Sequence, residues 1–287
     1  MQCKKGIYIK SQDQVVPCGQ CMPCRINKGR LWSGRIILEN LAHYEKTYFN
    51  GLFCTLTYND DTVPCTVEGV QSLRKKTFRK WLSNQAKIQG SFRYYAVGEY
   101  GDLTKRPHYH LALFCFDNEQ ANAILETWRK SFGFVQVAEI TDERARYLAN
   151  YTAKKLTKHD DDRLEYGQEP EFRISSRNPP IGAAYIDKLV ENFSSKHGKR
   201  ILKERGDIER SFRFNGRIYP VHPWILTKAR ERLGIPVLHR DRCIHPEYLK
   251  WHEIMEAEIN HEEADQIERN LHAKKKQRLH RSTTVNL

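Results

Sequence analysis

The chain has 287 residues, 39% hydrophobic and 29% charged, with a formal net charge of +13 and a pI near 9.3. That length suffices for one well-buried domain with appendages or for two small domains, and the positive balance suits a polyanionic partner as well as a merely soluble basic protein. No stretch of ~18 apolar residues occurs and residues 1–10 lack an apolar segment, so neither a membrane span nor a signal peptide is expected.

The eight cysteines are Cys3, Cys18, Cys21, Cys24, Cys54, Cys65, Cys115 and Cys243. Without an export signal they are expected to be reduced thiols. Apolar residues recur at helical spacing through 27–48, at Leu31, Gly34, Leu38, Leu41 and Ala42. Residues 52–58, Leu-Phe-Cys-Thr-Leu-Thr-Tyr, predict a strand that ends in the turn Asn59-Asp60-Asp61. Ser72 is expected to cap a helix whose buried side holds Leu73, Phe78, Trp81 and Leu82. Two further strands, 92–99 and 108–116, flank a short linker with Gly101 and Pro107, which favours an antiparallel hairpin.

Asp117 and Gln120 predict a capping box for a helix bearing Ala121, Ile124, Leu125 and Trp128, closed by Gly133. Alternation over 134–140 predicts a fourth strand, and Thr141 can cap the helix that follows. The order is β-α-β-β-α-β, the split arrangement of ferredoxin/RRM-like α+β domains, with an antiparallel sheet and helices on one face. Beyond it, 159–180 predicts a loop broken at Pro179-Pro180, and 183–193 a helix. Residues 211–219 predict a hairpin turning at Asn215-Gly216. Residues 246–276 predict a long helix leading to a basic tail at Lys274. Three segments are expected: a cysteine-bearing N-terminal segment and helix over 1–48, the sheet domain over 49–195, and a hairpin and helical region over 196–287.

His108 and His110 sit two apart on an apolar strand and therefore share a face. Such a pair alone is weak evidence for a metal. Here the strand is otherwise apolar, so buried imidazoles need a partner, and Glu99 ends the neighbouring strand, placed to add an oxygen ligand. Two nitrogens and one oxygen leave positions open for a phosphate oxygen, which favours Mg²⁺ or Mn²⁺ over a closed zinc site. Tyr147 and Tyr151 follow at i and i+4 of a helix, with Lys154 and Lys158 continuing the stripe. Ala145, Leu148, Ala149, Thr152 and Leu156 lie opposite, which is expected to leave the tyrosines facing a ligand. A phenol, with a pKa near ~10, attacks a phosphate at neutral pH only if the phosphate is polarised. Lys154 is placed to balance charge at phosphorus.

These motifs resemble the two-tyrosine class of HUH endonucleases, which initiate rolling-circle replication. Residues 52–58 are similar to that superfamily's first Rep motif, His108-Tyr109-His110 to its second, and the run from Tyr147 to Lys154 to its third. The most specific resemblance is to the replication initiators of microviruses, in their gokushovirus-like form. Those also carry a segment like Cys18 to Arg25 and a run like Gly98-Glu99-Tyr100-Gly101. The similarity covers roughly residues 18 to 190. The family's third metal ligand varies, so Glu99 rests on hairpin geometry. The resemblance implies an HUH fold with N- and C-terminal extensions, and metal-dependent nicking and rejoining of single-stranded viral DNA at the replicative-form origin. It further implies a 5′-phosphotyrosine, and action in the cytoplasm of a bacterial host. No G-x-x-x-x-G-K-[ST] loop is present, so a host helicase and polymerase are the expected partners.

Two rival readings remain. One is a non-catalytic ferredoxin-like nucleic-acid-binding protein with structural histidines; the other is a hydrolase that uses only the metal site and leaves the tyrosines unexplained. Separately, Cys18, Cys21 and Cys24, with Cys3, offer four thiolates for a structural Zn²⁺. Bound zinc and unmetallated thiols both stay open, and an iron–sulfur cluster is the weaker reading.

Overall fold

The computed structural model describes residues 3–12, 14–154, 161–165, 167–205 and 207–235. Lys158, Leu156, Cys243 and the expected helix and tail of 246–287 lie outside the described residues. A small hairpin, β1 (Ile7–Ile9) and β2 (Gln14–Val16), precedes α1 (Met22–Thr47). This helix starts before the expected residue 27, with Pro23 in its first turn, where a missing N–H costs nothing. Tyr48 ends it in the left-handed region, φ 55°, its N–H donating to Tyr44 O.

The expected order then appears as β3 (Leu52–Tyr58), α2 (Lys75–Ile88), β4 (Arg93–Tyr100), β5 (Pro107–Phe114), α3 (Asn118–Ser131), β6 (Gly133–Glu139) and α4 (Asp142–Lys154). The sheet is antiparallel throughout, in the order β6-β3-β5-β4 with β7 (Phe172–Ser175) added beside β4. β7 corrects the expected loop over 159–180. A four-residue strand in a polar stretch has too short an alternation to be legible, and its pairing partner lies far back in sequence.

Helices cover both sheet faces, not one. Along β3, Cys54, Leu56 and Tyr58 point to a core with Phe78, Trp81 and Leu82 of α2 and Ile124, Leu125 and Trp128 of α3. The alternate residue Phe53 points to a second core with Trp32, Ile36 and Ile37 of α1 and Ala145, Leu148 and Ala149 of α4. The apolar stripe of α1 therefore seals the face that a minimal split β-α-β sheet leaves open.

Local signals were mixed. Asp117 caps α3 through Gln120 N–H at 2.8 Å, while the Gln120 side chain reaches back to Phe116 N–H. Thr141 Oγ1 accepts from Arg144 N–H at 3.3 Å, as expected of a cap. Ser72 is not a cap: α2 begins at Lys75, and the buried Ser72 hydroxyl instead donates to Leu73 O and accepts from Glu169 N–H. Gly133 opens β6 instead of closing α3. Its φ of +153° and the close approach of the Asn59 and Thr57 backbone, which any added Cβ would strike, leave room for glycine alone.

A third cluster joins Leu38 of α1 to α5 (Tyr185–Ser194), α6 (Lys196–Arg205) and α7 (Pro223–Leu233). Between them β8 (Ser211–Phe214) and β9 (Arg217–Pro220) turn at Asn215 and Gly216, whose φ angles of 44° and 73° suit a tight hairpin. Arg230 is fully buried and makes two 2.8 Å bonds to the Asp207 carboxylate. Burial opposes ionisation of Asp207, but the Arg230 bonds and charge outweigh it and hold the carboxyl below its ordinary 3.8. A depressed acid stabilises the fold above its unfolded pKa, and that contribution is lost as pH falls through the folded value. Asp207→Asn should therefore destabilise the chain by about 3 kcal/mol at neutral pH, since it leaves a buried guanidinium unpaired. Urea unfolding at pH 7 and pH 3 checks this, the difference between variant and wild type shrinking at the lower pH.

Candidate metal centre and tyrosine pair

Antiparallel pairing of β4 with β5 sets Glu99 opposite His108 and Val97 opposite His110. The three side chains share the face that carries the second core. His108 Nε2 lies 2.8 Å and His110 Nε2 3.0 Å from the same Glu99 oxygen, Oε1. The other oxygen, Oε2, is buried with no hydrogen-bond partner. Glu99 and His110 are 3% and 2% exposed, so water does not compensate for this deficit.

The imidazole protons sharpen the point. His108 Nδ1 lies 3.1 Å from the carbonyl of Arg106, which can only accept, so Nδ1 carries a proton. Nε2 must then carry a second proton or aim a lone pair at the carboxylate. A lone pair against an anionic oxygen repels, and a cation held between them removes the conflict. On the other ring, Thr55 Oγ1 lies 3.1 Å from His110 Nδ1, and Thr55 stands opposite His110 in the β3–β5 register. Both imidazoles are thus oriented from behind, the usual support of a metal-binding histidine. The donor set, its convergence and the orphaned oxygen fit a bound divalent cation.

Burial opposes charge on Glu99, yet hydrogen bonds and positive charge from His108 and His110 prevail and set its carboxyl at about 2. Burial pushes His110 the other way, below the ordinary histidine value, against the pull of Glu99.

α4 delivers both tyrosines to this triad. Tyr147 Oη lies 3.3 Å from His110 Nε2, and Tyr151 Oη donates to Tyr147 Oη at 2.6 Å. The His110 ring is stacked between Phe53 and Tyr151, each centroid 5.5 Å away. The tyrosines therefore flank the buried stripe of α4 and lean on the imidazole, half-buried, where a freely exposed stripe was expected. Burial pushes Tyr147 up to about 12 despite the Tyr151 hydrogen bond, and burial with the Glu99 charge pushes Tyr151 up as well. Either phenolate needs added positive charge nearby. Lys154 is the last residue of α4, and its side chain lies outside the described residues.

Sequence reasoning missed Phe53 and Thr55, though the period-2 pattern of 52–58 puts both on the histidine face. It also missed a group of cations on that face. Arg35 and Arg173 both lie over the Trp32 ring, at 4.1 and 4.2 Å. Arg173 stands opposite Val97, in line with His110 across the sheet, and its Nη1 is buried without a partner. Burial and then the Arg173 charge lower Lys28, and lower Arg35 to about 10. Positive charge here exceeds what local acids neutralise.

Residues 51–156, which hold the sheet, the triad and both tyrosines, match the family model of replication-associated proteins of the ORF2 type. The chain resembles phage replication-associated proteins. It is 29% identical to replication-associated protein VP4 of Bdellovibrio phage phiMH2K, over 63% of this chain and 60% of that protein. It is 28% identical to replication-associated protein ORF2 of Spiroplasma virus 4, over 67% of this chain and 63% of that one. Replication-associated protein ORF4 of Chlamydia phage 1 is 26% identical over 52% of this chain and 40% of its own length. The chain thus spans less than two thirds of the length of these curated relatives. No solved structure matches.

Thr55→Val keeps the shape of the site but removes the hydrogen bond behind His110. Its affinity for Mn²⁺, measured by calorimetric titration, should fall roughly tenfold. An unchanged affinity would mean that Thr55 does not orient the ligand.

Proposed function

We propose that the chain is a rolling-circle replication initiator of the microvirus type, built on an HUH endonuclease fold within residues 49–195. It nicks and rejoins single-stranded viral DNA at the replicative-form origin. The observation that carries this reading is the meeting of two tyrosine hydroxyls with a Glu99–His108–His110 donor set, Tyr147 Oη standing 3.3 Å from His110 Nε2. A metal-dependent hydrolase would have no use for the tyrosines, and a simple binding module no use for a carboxylate with an orphaned oxygen.

Glu99, His108 and His110 would hold the divalent cation, Mg²⁺ or Mn²⁺, which polarises the scissile phosphate and steadies the departing 3′ oxygen. One tyrosine gives up its proton as its oxygen bonds to phosphorus. The P–O3′ bond breaks, the electron pair leaves with the 3′ oxygen, and that oxygen takes up a proton. The products are a 5′-phosphotyrosine and a free 3′-hydroxyl for a host polymerase, with a host helicase unwinding ahead. The second tyrosine attacks the regenerated origin after one round. The new 3′-hydroxyl then displaces the first tyrosine and closes a circle. Each exchange swaps one phosphodiester for another, so joining needs no ATP. Lys154 balances charge at phosphorus.

The excess of +13 and the cations around Trp32 suit a DNA backbone on this face. Among the described residues no helix is long and apolar enough to cross a membrane. The bacterial cytoplasm, where the viral DNA replicates, is the proposed place of action.

Incubation with a labelled single-stranded origin oligonucleotide and Mn²⁺, followed by a denaturing gel, should give a covalent protein–DNA band. The band should vanish with chelator and in the Tyr147→Phe/Tyr151→Phe double variant. Free cut products without linkage would instead identify the hydrolase, and a shift only on a native gel the binding module. His108→Ala should lower nicking more than about 100-fold while largely sparing DNA binding. Equal loss of both would point to misfolding. Each single tyrosine variant should still nick but fail to close circles, and normal circle yield from both would reject the alternating scheme.

A further inference from the structure

We propose that Cys3, Cys18, Cys21 and Cys24 form an all-thiolate site for one structural Zn²⁺, which fastens the β1–β2 hairpin to the start of α1. The four cysteines come from separate points of the chain. Cys3 precedes β1, Cys18 follows β2, Cys21 is the residue just before α1, and Cys24 lies in its first turn. Their sulfurs nevertheless all lie within 4.8 Å of one another.

The spacing is that of a tetrahedron around a single ion. The sulfurs of Cys18 and Cys24 are 4.0 Å apart and those of Cys21 and Cys3 are 3.8 Å apart. Four sulfurs at ~2.3 Å from a central zinc stand about 3.8 Å from each other. Disulfide sulfurs would lie at ~2.05 Å, so these are four separate thiols. An iron–sulfur cluster needs room for bridging sulfides and spreads its cysteines further apart, which argues against that alternative. Soft sulfur donors in tetrahedral array select zinc over magnesium or manganese.

The backbone around the sulfurs favours thiolates. Cys18 N–H donates to Cys3 Sγ and Cys21 N–H to Cys18 Sγ, each at 3.3 Å. A neutral thiol is a weak acceptor, whereas a metal-bound thiolate is a strong one. Cys21 and Cys24 also sit at the positive end of α1, which favours anionic sulfur.

The hairpin needs such a fastening. Its strands are three residues each and do not join the five-stranded sheet. Ile7 and Tyr8 remain 53% and 57% exposed, so β1 contributes little to a core. Two strands this short do not hold themselves together in water, and metal binding supplies the missing free energy. The zinc would also fix where α1 begins, and α1 carries Lys28 and Trp32 onto the face of the Glu99 site. This inference stands apart from the nicking reading, because it concerns other residues and another metal.

Elemental analysis of the full chain, purified without chelator, should find one zinc per chain. His108→Ala/His110→Ala and Cys65→Ser should both keep it, because the Glu99 site and the exposed Cys65 are separate from this cluster. Cys18→Ser/Cys24→Ser should lose it at least about tenfold. Exchange with cobalt should give the thiolate-to-cobalt charge-transfer band of a tetrahedral site, absent from that double variant. Stripping the metal should speed tryptic cleavage at Lys4, Lys5 and Lys10 while Mn²⁺ binding at Glu99 survives. Zinc-free wild-type protein, iron in its place, or equal zinc in wild type and Cys18→Ser/Cys24→Ser would overturn the proposal.

Discussion

Burying an ionised carboxylate between two imidazoles is costly unless each oxygen finds a partner, and Glu99 meets only half of that demand. Its Oε1 takes both histidines while Oε2 faces nothing. The rest of this face is arranged to sustain the arrangement. Thr55 and the Arg106 carbonyl hold the imidazoles from behind, Phe53 and Tyr151 sandwich one of them, and α1 closes the sheet over the group. A cation at the triad completes the coordination, and its charge also lowers the barrier to ionising the two phenols that burial now holds neutral.

The two sheet faces divide the work. One face is a dense aromatic core in which Phe78 stacks on Tyr109 at 4.1 Å and the Tyr58 and Tyr109 hydroxyls share a 2.9 Å hydrogen bond. The alternate residues of the same strands carry the histidines, the glutamate and the cations. Tyr109 between His108 and His110 shows the logic: one strand anchors the domain on one side and presents ligands on the other. Rigid backing of this kind keeps ligand geometry from drifting. α4 serves both purposes within a single helix, packing Ala145 and Leu148 inward while aiming the tyrosines at His110.

Short-range periodicity made much of this legible. Strands at Leu52–Tyr58 and Pro107–Phe114 announce themselves by alternation, and the tyrosine spacing by helical pitch. Glu99 was reachable because a hairpin with a short linker has few registers. Elements held by distant partners were not reachable. β7 exists because β4 offers it an edge, and Ser72 abandons its capping role because Glu169, far along the chain, needs its hydroxyl. The burial of Tyr147 and Tyr151 depends on how α1 and α4 meet, which no local pattern encodes.

By itself, the amino-acid order determined which side chains face together, since alternation and helical pitch are properties of neighbouring residues. It thereby settled the β-α-β-β-α-β order and grouped the two histidines, the two tyrosines and the cysteines. Only the tertiary structure decided that helices cover both faces, that Arg35 and Arg173 crowd one tryptophan, and that one glutamate oxygen is left unsatisfied. Those outcomes arise from the packing of segments distant in sequence, where steric fit and desolvation, not local propensity, set the result.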